Sequence, residues 1–329
     1  MMRRREFITL IGGAAMVWPF AAWAQDEERV RRIGVLMSNA KTDPEASARI
    51  GALERGLQKL GWSQGRNISI AYRGNVTDSD SIRTSVRDLI DLNPDLFLAH
   101  TPATVAALKQ AARTTPIVFV QASDPVTLGL VTNLASSGSN VTGFVLFETS
   151  LGGKWLQLLR DVAPGIKQVL VIQSADNPST RGFLRSIERV ASSLKVSLRT
   201  ADVGDFAEIK RAINELASSD AGVIVLPSPE ATAQREQIIG LATLHRLPAI
   251  YPFKYYAISG GLLFYGADNV DQWRQAASYV DRILRGAEPR DLPIQLPTKF
   301  DLVINLKAAG GIGLNIPRDV LLRADEVIE

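Results

Sequence analysis

Cysteine is absent from this chain of 329 residues. Without cysteine the protein can form no disulfide, has no thiolate nucleophile and cannot hold zinc through sulfur ligands. A chain of this size does not need disulfides, because roughly 300 residues can bury an adequate apolar core without cross-links. The same length favours two domains over one.

Histidine is scarce, and the common catalytic motifs are missing. The sequence contains no glycine-rich phosphate loop followed by lysine, no nucleophile-elbow serine and no His-Glu-x-x-His pattern. Its two histidines, His100 and His245, lie at the end of a predicted strand and the end of a predicted helix, and nothing in the sequence brings them together. We therefore expect both to be structural, and we expect no metal and no cofactor.

An uncharged run from Phe7 to Ala24 follows three arginines near the amino terminus. The run is long enough to cross a bilayer, which takes ~17–25 apolar residues, but Gly12-Gly13 and Pro19 interrupt it. An uncleaved anchor and a buried helix are the alternatives to a removable export signal, which is the interpretation we prefer. The small residues of Ala22-Trp23-Ala24 suit a signal peptidase, so we predict cleavage after Ala24 and a periplasmic location.

The leader also resembles a twin-arginine export signal. In Arg4-Arg5-Glu6-Phe7-Ile8 the arginine pair is followed by one further residue, a phenylalanine and an aliphatic residue. The match departs from the usual pattern at Arg3, where Ser or Thr normally precedes the pair, and at Thr9, where Lys is usual. Both the twin-arginine and the general secretion routes therefore stay open.

A marked excess of basic residues is missing from the rest of the chain. The whole sequence has 37 Lys and Arg against 34 Asp and Glu, and the leader holds three of the arginines and one of the glutamates. The chain after Ala24 therefore carries 34 basic and 33 acidic residues. With no basic stripe interleaved with aromatic residues, we expect no nucleic-acid partner.

Short apolar strands alternate with amphipathic helices along the rest of the chain. In the first half "IGVLMS" and "DLFLAH" resemble strands, and "ARIGALERGLQKLG" places Ile50, Leu53, Leu57 and Leu60 on one helix face, with Gly61 as its stop. The alternation restarts with "QVLVIQS" and "STRGFLRSIERVASSL". Continuous apolar strands separated by helices are typical of parallel sheets covered on both faces. We therefore predict an α/β fold with two three-layer α/β/α lobes.

A late helix and late strands, "VDQWRQAASYVDRILRG" and "LPIQLPTKFDLVIN", follow the second series of strands and helices. They suggest that the chain crosses between the lobes more than once, which would make a hinge with a cleft that can close. We predict an export signal at 1–24, a first lobe from 30–145 plus 266–291, and a second lobe from 146–265 plus 292–329.

Small polar residues follow many of the predicted strands. In open parallel sheets, ligands bind beyond the carboxyl ends of the strands, where free amide groups at helix starts suit a carboxylate. The alternative is that these residues only cap their own helices, and one residue can do both. The candidate ligand-binding residues of this kind are Ser38, Asn39, Thr101, Ser123, Asp124, Asn177, Ser179, Ser228 and Asp268.

Three aromatic residues of "YPFKYY" and "LLFYG" lie at or beyond strand ends of the second half. They are Phe253, Tyr255 and Tyr265. Core packing would explain any one of them, but their clustering near the predicted cleft favours walls for an apolar or aromatic ligand. We therefore add all three to the candidate ligand-binding residues.

Two stretches carry a resemblance to a known family. "QASDPV" and the carboxyl-terminal "NLKAAGGIGLNIPRDVLLRADEVIE" resemble those of the ABC transporter substrate-binding protein family, which includes tryptophan-binding proteins of the TrpX type. The resemblance covers nearly all of the chain after the leader. It implies a type I periplasmic-binding-protein fold, with an amino acid or related small solute held between the lobes.

The resemblance also implies positions for binding residues. Ser123 and Asp124 match the family's Ser-Asp turn, and Thr101 matches its threonine turn. Asn177 matches the Asn-Pro turn loosely, because "SADNPST" lacks the tyrosine that usually opens it. This departure puts the aromatic amino-acid preference of the family in doubt for this chain.

The leading hypothesis is an exported, monomeric solute receptor that captures a small carboxylate-bearing ligand, such as an amino acid, and docks transiently on ABC permease subunits in the membrane. One alternative is a periplasmic enzyme acting on a small molecule in the same cleft through a pair of carboxylates. Another is a ligand-sensing module for a membrane receptor. Turnover would distinguish the enzyme from the receptor, which binds its ligand reversibly without changing it.

Overall fold

The computed structural model describes residues 29–76, 78–175, 177, 179–216 and 220–329. The predicted export signal, its arginine pair and its cleavage site after Ala24 all lie outside the described residues, and so does Pro178 of the Asn-Pro turn. Among the helices that are described, none combines the length and the apolar character that a membrane crossing requires.

The first lobe is built on a five-stranded parallel sheet with the order β2-β1-β3-β4-β5. Its strands and the helices between them are β1 (Arg31–Leu36), α1 (Pro44–Lys59), β2 (Ile68–Arg73), α2 (Ser79–Asp91), β3 (Leu96–His100), α3 (Pro102–Ala111), β4 (Ile117–Val120) and β5 (Val141–Phe144).

The strands of this sheet divide their side chains between two cores, because successive residues of a strand point to opposite faces. On β3, Leu96 and Leu98 pack with the apolar face of α1, whereas Phe97 and Ala99 pack against α2 and α3. All five residues of β3 are buried. The continuous apolar run "LFLA" is therefore explained by a strand covered on both sides.

The second lobe is built on a seven-stranded sheet with the order β12-β11-β10-β9-β8-β6-β7. Helix α4 (Leu151–Val162) precedes its first strand. The strands and helices that follow are β6 (Gln168–Gln173), α5 (Thr180–Leu194), β7 (Ser197–Asp202), α6 (Phe206–Leu216), β8 (Ala221–Val225), α7 (Pro229–Ala233), α8 (Arg235–Leu244), β9 (Ala249–Tyr251), α9 (Lys254–Ile258), β10 (Leu263–Gly266), α10 (Asn269–Leu284), β11 (Asp301–Asn305), α11 (Leu306–Ile312), α12 (Arg318–Leu321) and β12 (Glu326–Ile328).

Helix α10 belongs to the first lobe, although it follows ten strands in the chain. Its buried residues Trp273 and Ala277 share a core with Leu53 of α1. The two helices approach so closely that a Cβ atom on Gly56 would lie 2.7 Å from the Cβ of Ala277. This close approach explains why α1 carries glycine at that position.

The chain crosses between the lobes after β5, again after β10, and a third time after a 3-10 turn at Pro289–Asp291. Val145 still packs in a core of the first lobe, and Leu146 already packs in a core of the second. At the third crossing, Ile294 packs in the first lobe and Phe300 in the second. These crossings give the multi-crossover connection expected from the sequence. The lobe boundaries, as units of motion, stay a prediction.

The prediction of two α/β/α lobes with parallel sheets is confirmed, with one exception in the second sheet. Strands β10 and β11 pair antiparallel, because the chain leaves for the first lobe after β10 and returns from the opposite direction. In α1, Gly61 follows the end of the helix with a φ of +93°, a conformation that glycine adopts freely. The expectation that Leu60 lies on the buried face is wrong, since it caps the helix and is exposed.

Candidate functional site

A row of polar side chains lies along the carboxyl edge of the first sheet. Ser38 follows β1, His100 ends β3, and Gln121 follows β4. The Oγ atom of Ser38 lies 3.0 Å from Nδ1 of His100, and Nε2 of His100 lies 2.7 Å from Oε1 of Gln121. Gln121 in turn donates from Nε2 to the backbone carbonyl of Asn269, the first residue of α10, at 3.4 Å. The row therefore ties three strand ends to the helix that completes the lobe.

The imidazole of His100 is held neutral. Burial, assisted by the nearby positive charge of Arg49, lowers the pKa of His100 to about 3. Because Gln121 donates from its nitrogen to Asn269, its oxygen faces the imidazole and accepts a hydrogen bond from the N–H group at Nε2. Nδ1 is then left as an acceptor that faces the Ser38 hydroxyl, whose single proton is shared between this nitrogen and Oδ1 of Asn39. The imidazole of His100 is therefore held by a polar contact at each of its two nitrogens.

Three residues at the same edge have a positive φ, which is uncommon for residues other than glycine. The φ angles are 85° for Thr101, 70° for Gln121 and 48° for Asp124. Thr101 is β-branched, so its backbone is the most strained of the three, and its side chain makes no cap to α3. Strained backbone of this kind costs of order 1–3 kcal/mol and is concentrated at functional sites. The turns after β3 and β4 are therefore candidates for ligand contacts.

Arg49 lies on the buried face of α1, three residues after Ala46 and four before Leu53. Its side chain is almost fully enclosed, with 3% relative exposure for the residue. Within the described part of the chain, its guanidinium has no salt-bridge partner, and its buried Nε atom has no hydrogen-bond acceptor. Burial lowers the pKa of Arg49, and the nearby Tyr255 and Glu45 act in the opposite direction.

The second lobe presents aromatic rings to this region. Phe253 stacks on Tyr255 with ring centroids 5.1 Å apart, and it also meets Phe147 in an edge-to-face contact at 5.4 Å. We refer to Phe147, Phe253 and Tyr255 as the aromatic shelf. The hydroxyl of Tyr255 lies 3.0 Å from Oγ1 of Thr232, and the guanidinium of Arg235 lies 5.9 Å from the ring of Tyr255. The shelf is thus fixed by packing and by one hydrogen bond.

Charges from the two lobes interact at this place. Arg49 of the first lobe interacts electrostatically with Tyr255 of the second. The pKa of Glu45 is raised mainly by burial, while Arg49 and Arg235 oppose the rise and Asp268 adds to it. Arg235 belongs to the second lobe and the other charged residues to the first. The start of α1 and the aromatic shelf therefore face each other between the lobes.

Several predicted residues are caps in the structure. Asp268 accepts hydrogen bonds from the backbone amides of Val270 and Asp271 at 2.8 and 3.2 Å, and Ser228 accepts one from Ala231 at 3.0 Å. These bonds satisfy amide groups that a helix start leaves without partners. Capping does not prevent the backbone or a second oxygen from meeting a ligand, so the binding role of both residues stays a prediction.

Asn177 and Ser179 lie together before α5. The side chain of Asn177 accepts from the Ser179 amide at 3.0 Å and donates to the Pro227 carbonyl at 3.1 Å. The latter bond ties the turn after β6 to the turn after β8. The Ser179 hydroxyl is buried without a hydrogen-bond partner among the described residues. Such a hydroxyl is a candidate for a polar ligand atom.

The other predicted residues of the first lobe are half-buried in turns. Asn39 lies beside Ser38, with its Oδ1 atom 3.1 Å from the Ser38 hydroxyl. Ser123 and Asp124 lie in the turn after β4, where Asp124 receives one long hydrogen bond, from the Thr127 amide at 3.4 Å. These three residues leave polar atoms for a ligand, and their binding role stays a prediction.

Tyr265 is placed differently from the other two predicted aromatic residues. Its ring stacks on Phe300 at 5.7 Å, and its backbone carbonyl accepts from Nε1 of Trp155 at 2.8 Å. Trp155 in turn meets Phe147 of the aromatic shelf edge to face, at 6.0 Å. Tyr265 is therefore connected to the aromatic shelf only indirectly, through Trp155. Within the described ranges, its ring makes no direct contact with the ring of Phe253 or Tyr255.

Sequence reasoning missed Arg49, Gln121 and Phe147, and it assigned His100 only a structural role. A signal for Arg49 was available, because Ala46, Arg49 and Leu53 share one face of an amphipathic helix, where a charge is out of place. No comparable signal marked Gln121 or Phe147, since a glutamine after a strand and a phenylalanine in an apolar run are both common.

Comparison with known proteins places these features in context. The profile described as ABC transporter substrate binding protein matches residues 38–328. A tyrosine-binding protein of Clostridioides difficile is 23% identical over 307 residues, which cover 92% of this chain and 87% of the relative.

Solved structures with the same fold include two with high similarity. A conserved domain protein from Vibrio cholerae has a TM-score of 0.83 at 26% identity, covering 91% of this chain and 100% of that protein. An ABC domain from Streptococcus pneumoniae, solved in complex with L-Trp, has a TM-score of 0.82 at 21% identity, covering 91% of this chain and 99% of that protein. The structures share the two-lobed architecture along nearly their whole length.

Proposed function

Since the chain belongs to the ABC transporter substrate-binding protein family, we propose that it captures a small carboxylate-bearing solute between its lobes and delivers it to an ABC permease in the membrane. The proposal places the protein in the periplasm, as a monomer that docks transiently on the permease. It makes the cleft a binding site and not a catalytic one.

The observation that carries the proposal is the meeting of two different surfaces. Strained turns and polar side chains end the strands of the first lobe, and the aromatic shelf of the second lobe lies opposite. Ligand sites in proteins combine a mainly apolar wall with a few convergent polar groups. A solute with a polar head and an apolar body fits such a pair of surfaces.

Closure of the lobes would follow from contacts made to both surfaces at once. A ligand shifts an equilibrium between open and closed states only by as much as it prefers the closed state. A solute that touched only the turns of the first lobe would leave the lobes free to separate. The chain crosses between the lobes at three places, and these segments would form the hinge.

Two considerations support a carboxylate. Backbone amides at helix starts, such as those after Thr101 and Ser228, favour an anion. The comparisons include a tyrosine-binding protein and a structure in complex with L-Trp, and both of these ligands are α-amino acids. The sequence before Asn177 lacks the family's tyrosine, so the proposal is not restricted to aromatic amino acids.

An enzyme is the second candidate, favoured by the contact between Ser38 and His100. A serine hydroxyl 3.0 Å from an imidazole nitrogen is the geometry of a nucleophile and its base. Activation of serine requires a base whose pKa lies near the working pH. With a pKa of about 3, His100 is a weak base at neutral pH, so reversible binding is the function that the site supports better.

A thermal-shift screen followed by calorimetry tests the proposal. The screen covers the amino acids, small organic acids, aromatic metabolites, and neutral sugars and polyols. A ligand present at 100 times its Kd raises the free energy of unfolding by about 2.7 kcal/mol. We expect at least one acid to do so, with 1:1 stoichiometry and no chemical change. Turnover of the bound compound, or a screen in which nothing stabilises the protein, would refute the receptor.

A further inference from the structure

We propose that Arg49 is the anchor for the ligand's carboxylate, and that the ligand is a small acid whose apolar or aromatic body rests on the aromatic shelf. This inference rests on the proposed receptor function and deepens it, because it names the recognising group and the chemical class. The residue was not among those that the sequence indicated.

The burial of Arg49 without a partner carries the inference. A guanidinium has five N–H donors and no acceptor, and it stays protonated in proteins. The residue is 3% exposed, and none of the described residues accepts a hydrogen bond from it, including at the fully buried Nε. A buried charge without a partner is strongly unfavourable, so native proteins rarely keep one without a use for it.

The acidic residues nearby do not neutralise Arg49 by direct contact. Asp43 uses its carboxylate to cap α1, accepting from the Ala46 amide at 3.0 Å. Glu45 lies one helical turn before Arg49 and interacts with it electrostatically, but the two form no ion pair within 4 Å. The fork of the guanidinium therefore remains available to a planar anion, and a carboxylate is the anion that it pairs with through two parallel hydrogen bonds.

The surroundings of Arg49 select for a single carboxylate on an apolar body. His100 beside it is neutral, and burial keeps Tyr255 on the opposite lobe protonated. On this side of Arg49 the neighbouring side chains are thus neutral, while Glu45 and Asp43 act on its charge without direct contact. The rings of Phe253 and Tyr255 lie within the same region. A ligand bound here would contact α1 of the first lobe with its head and the second lobe with its body, which is the requirement for closure.

Arginine-to-glutamine variants test the inference directly. Arg49→Gln removes the charge and keeps hydrogen-bonding capacity, Arg49→Lys keeps the charge without the fork, and Arg55→Gln is the matched control, an exposed arginine on the same helix. Calorimetry compares each variant with the wild type, using L-tryptophan, L-tyrosine, phenylpropanoate and any acid that the screen identifies. The primary amide of each acid serves as its uncharged counterpart.

We expect Arg49→Gln to weaken binding of the acid by about 30-fold or more, since truncating one member of a buried charge pair costs at least ~2 kcal/mol. The affinity of Arg49→Lys for the acid should fall between those of the wild type and Arg49→Gln, and the affinity of Arg55→Gln should match that of the wild type. The amide should bind the wild type as weakly as the acid binds Arg49→Gln. Without ligand, Arg49→Gln should unfold at the same urea concentration as the wild type or a higher one, because it removes an unpaired buried charge.

The outcomes separate this inference from the receptor function. If acids bind the wild type and Arg49→Gln binds them within threefold, the receptor stands and the anchor is refuted. If only neutral solutes bind the wild type, the receptor again stands and the anchor is refuted. If nothing binds, both fall. Failure of both Arg49 variants to fold would show that the guanidinium holds the structure together, and would also overturn the proposal.

Discussion

The hydroxyl of Ser38 lies 3.0 Å from Nδ1 of His100, so that the turn after β1 is held against the end of β3. These strands are neighbours in the first sheet, with Leu36 beside Ala99. The contact between Ser38 and His100 therefore extends the backbone pairing of β1 with β3 beyond the ends of the strands. Since burial disfavours a charge on His100, protonation of this imidazole should destabilise the folded protein, and the pH dependence of stability should report it.

The stability of the protein should fall on acidification because of His100. Its pKa is about 3 in the folded protein, against an ordinary value of 6.5. Between these values the unfolded chain binds a proton that the folded chain does not, so the free energy of unfolding decreases as the pH is lowered through this window. At pH 5 this group alone should account for a loss of about 2 kcal/mol relative to pH 7.5.

Urea unfolding of the wild type and of His100→Asn at both pH values measures this loss. The variant lacks the titrating group, so its loss between pH 7.5 and pH 5 should be smaller than that of the wild type by about 2 kcal/mol. Equal losses in the two proteins would mean that His100 is protonated as readily in the folded as in the unfolded chain.

Asp124→Asn should weaken binding of ligands that carry an ammonium group. With a φ of 48°, position 124 accepts asparagine as readily as aspartate, so the variant changes charge and leaves the turn intact. A hydrogen bond between charged groups contributes about 1.5–3 kcal/mol, and that is the expected loss in calorimetry. The matched acid without the amino group is the control. If neither ligand loses affinity, Asp124 does not contact the ligand and serves only to shape its turn.

Alanine at the predicted aromatic positions should distinguish the shelf from its surroundings. Tyr255→Ala removes a ring stacked on Phe253 and should weaken ligand affinity by at least about 1 kcal/mol. Tyr265→Ala should also weaken it, but less, because that ring stacks on Phe300. Calorimetry with the same ligand compares the two. A larger loss of affinity in Tyr265→Ala than in Tyr255→Ala would show that the ligand does not bind on the aromatic shelf.

Two glycines of α1 should respond oppositely to alanine. A Cβ atom on Gly56 would lie 2.7 Å from the Cβ of Ala277 and 2.9 Å from the backbone oxygen of Arg274, so Gly56→Ala should destabilise the protein by about 1–3 kcal/mol. Gly51 faces only the flexible end of Arg55, so Gly51→Ala should stabilise by about 0.5–1 kcal/mol through helix propensity. Urea unfolding measures both, and a neutral Gly56→Ala would contradict the described packing.

Export provides a prediction independent of the fold. If the arginine pair is a twin-arginine signal, changing Arg4 and Arg5 to lysine should leave uncleaved precursor in the cytoplasm. Fractionation and immunoblotting of the full chain measure the distribution, with Arg3→Lys as the control outside the pair. Unchanged secretion would assign the protein to the general route.

Much of the architecture could be predicted from local patterns. Buried strands such as "LFLA" in β3 are continuous apolar runs, and the helical spacing of apolar residues along α1 identifies its buried face. The late helix α10 could be recognised as a helix outside the repeat. Its pairing with α1 could not, because the contact joins Gly56 to Ala277 across more than two hundred residues.

The site was harder to predict than the fold, because capping and binding use the same residue types. Ser228 and Asp268 stand at helix starts, and their side chains are occupied by backbone amides. Arg49, by contrast, was not singled out from the sequence, although its spacing from Leu53 places it on the buried face of α1. The structure adds that Arg49 is almost fully buried and interacts electrostatically with Tyr255 of the second lobe, which no local sequence pattern shows.

The position of α10 also has a consequence for the order in which the protein can fold. A nascent chain that has emerged only as far as β5 contains the five strands of the first sheet, yet the apolar side of α1 has no cover until Trp273 and Ala277 are synthesised. The first lobe can therefore be completed only after most of the second has left the ribosome. A fragment ending at residue 145 should be prone to aggregation, and joining it to 266–295 through a short linker should restore a folded lobe.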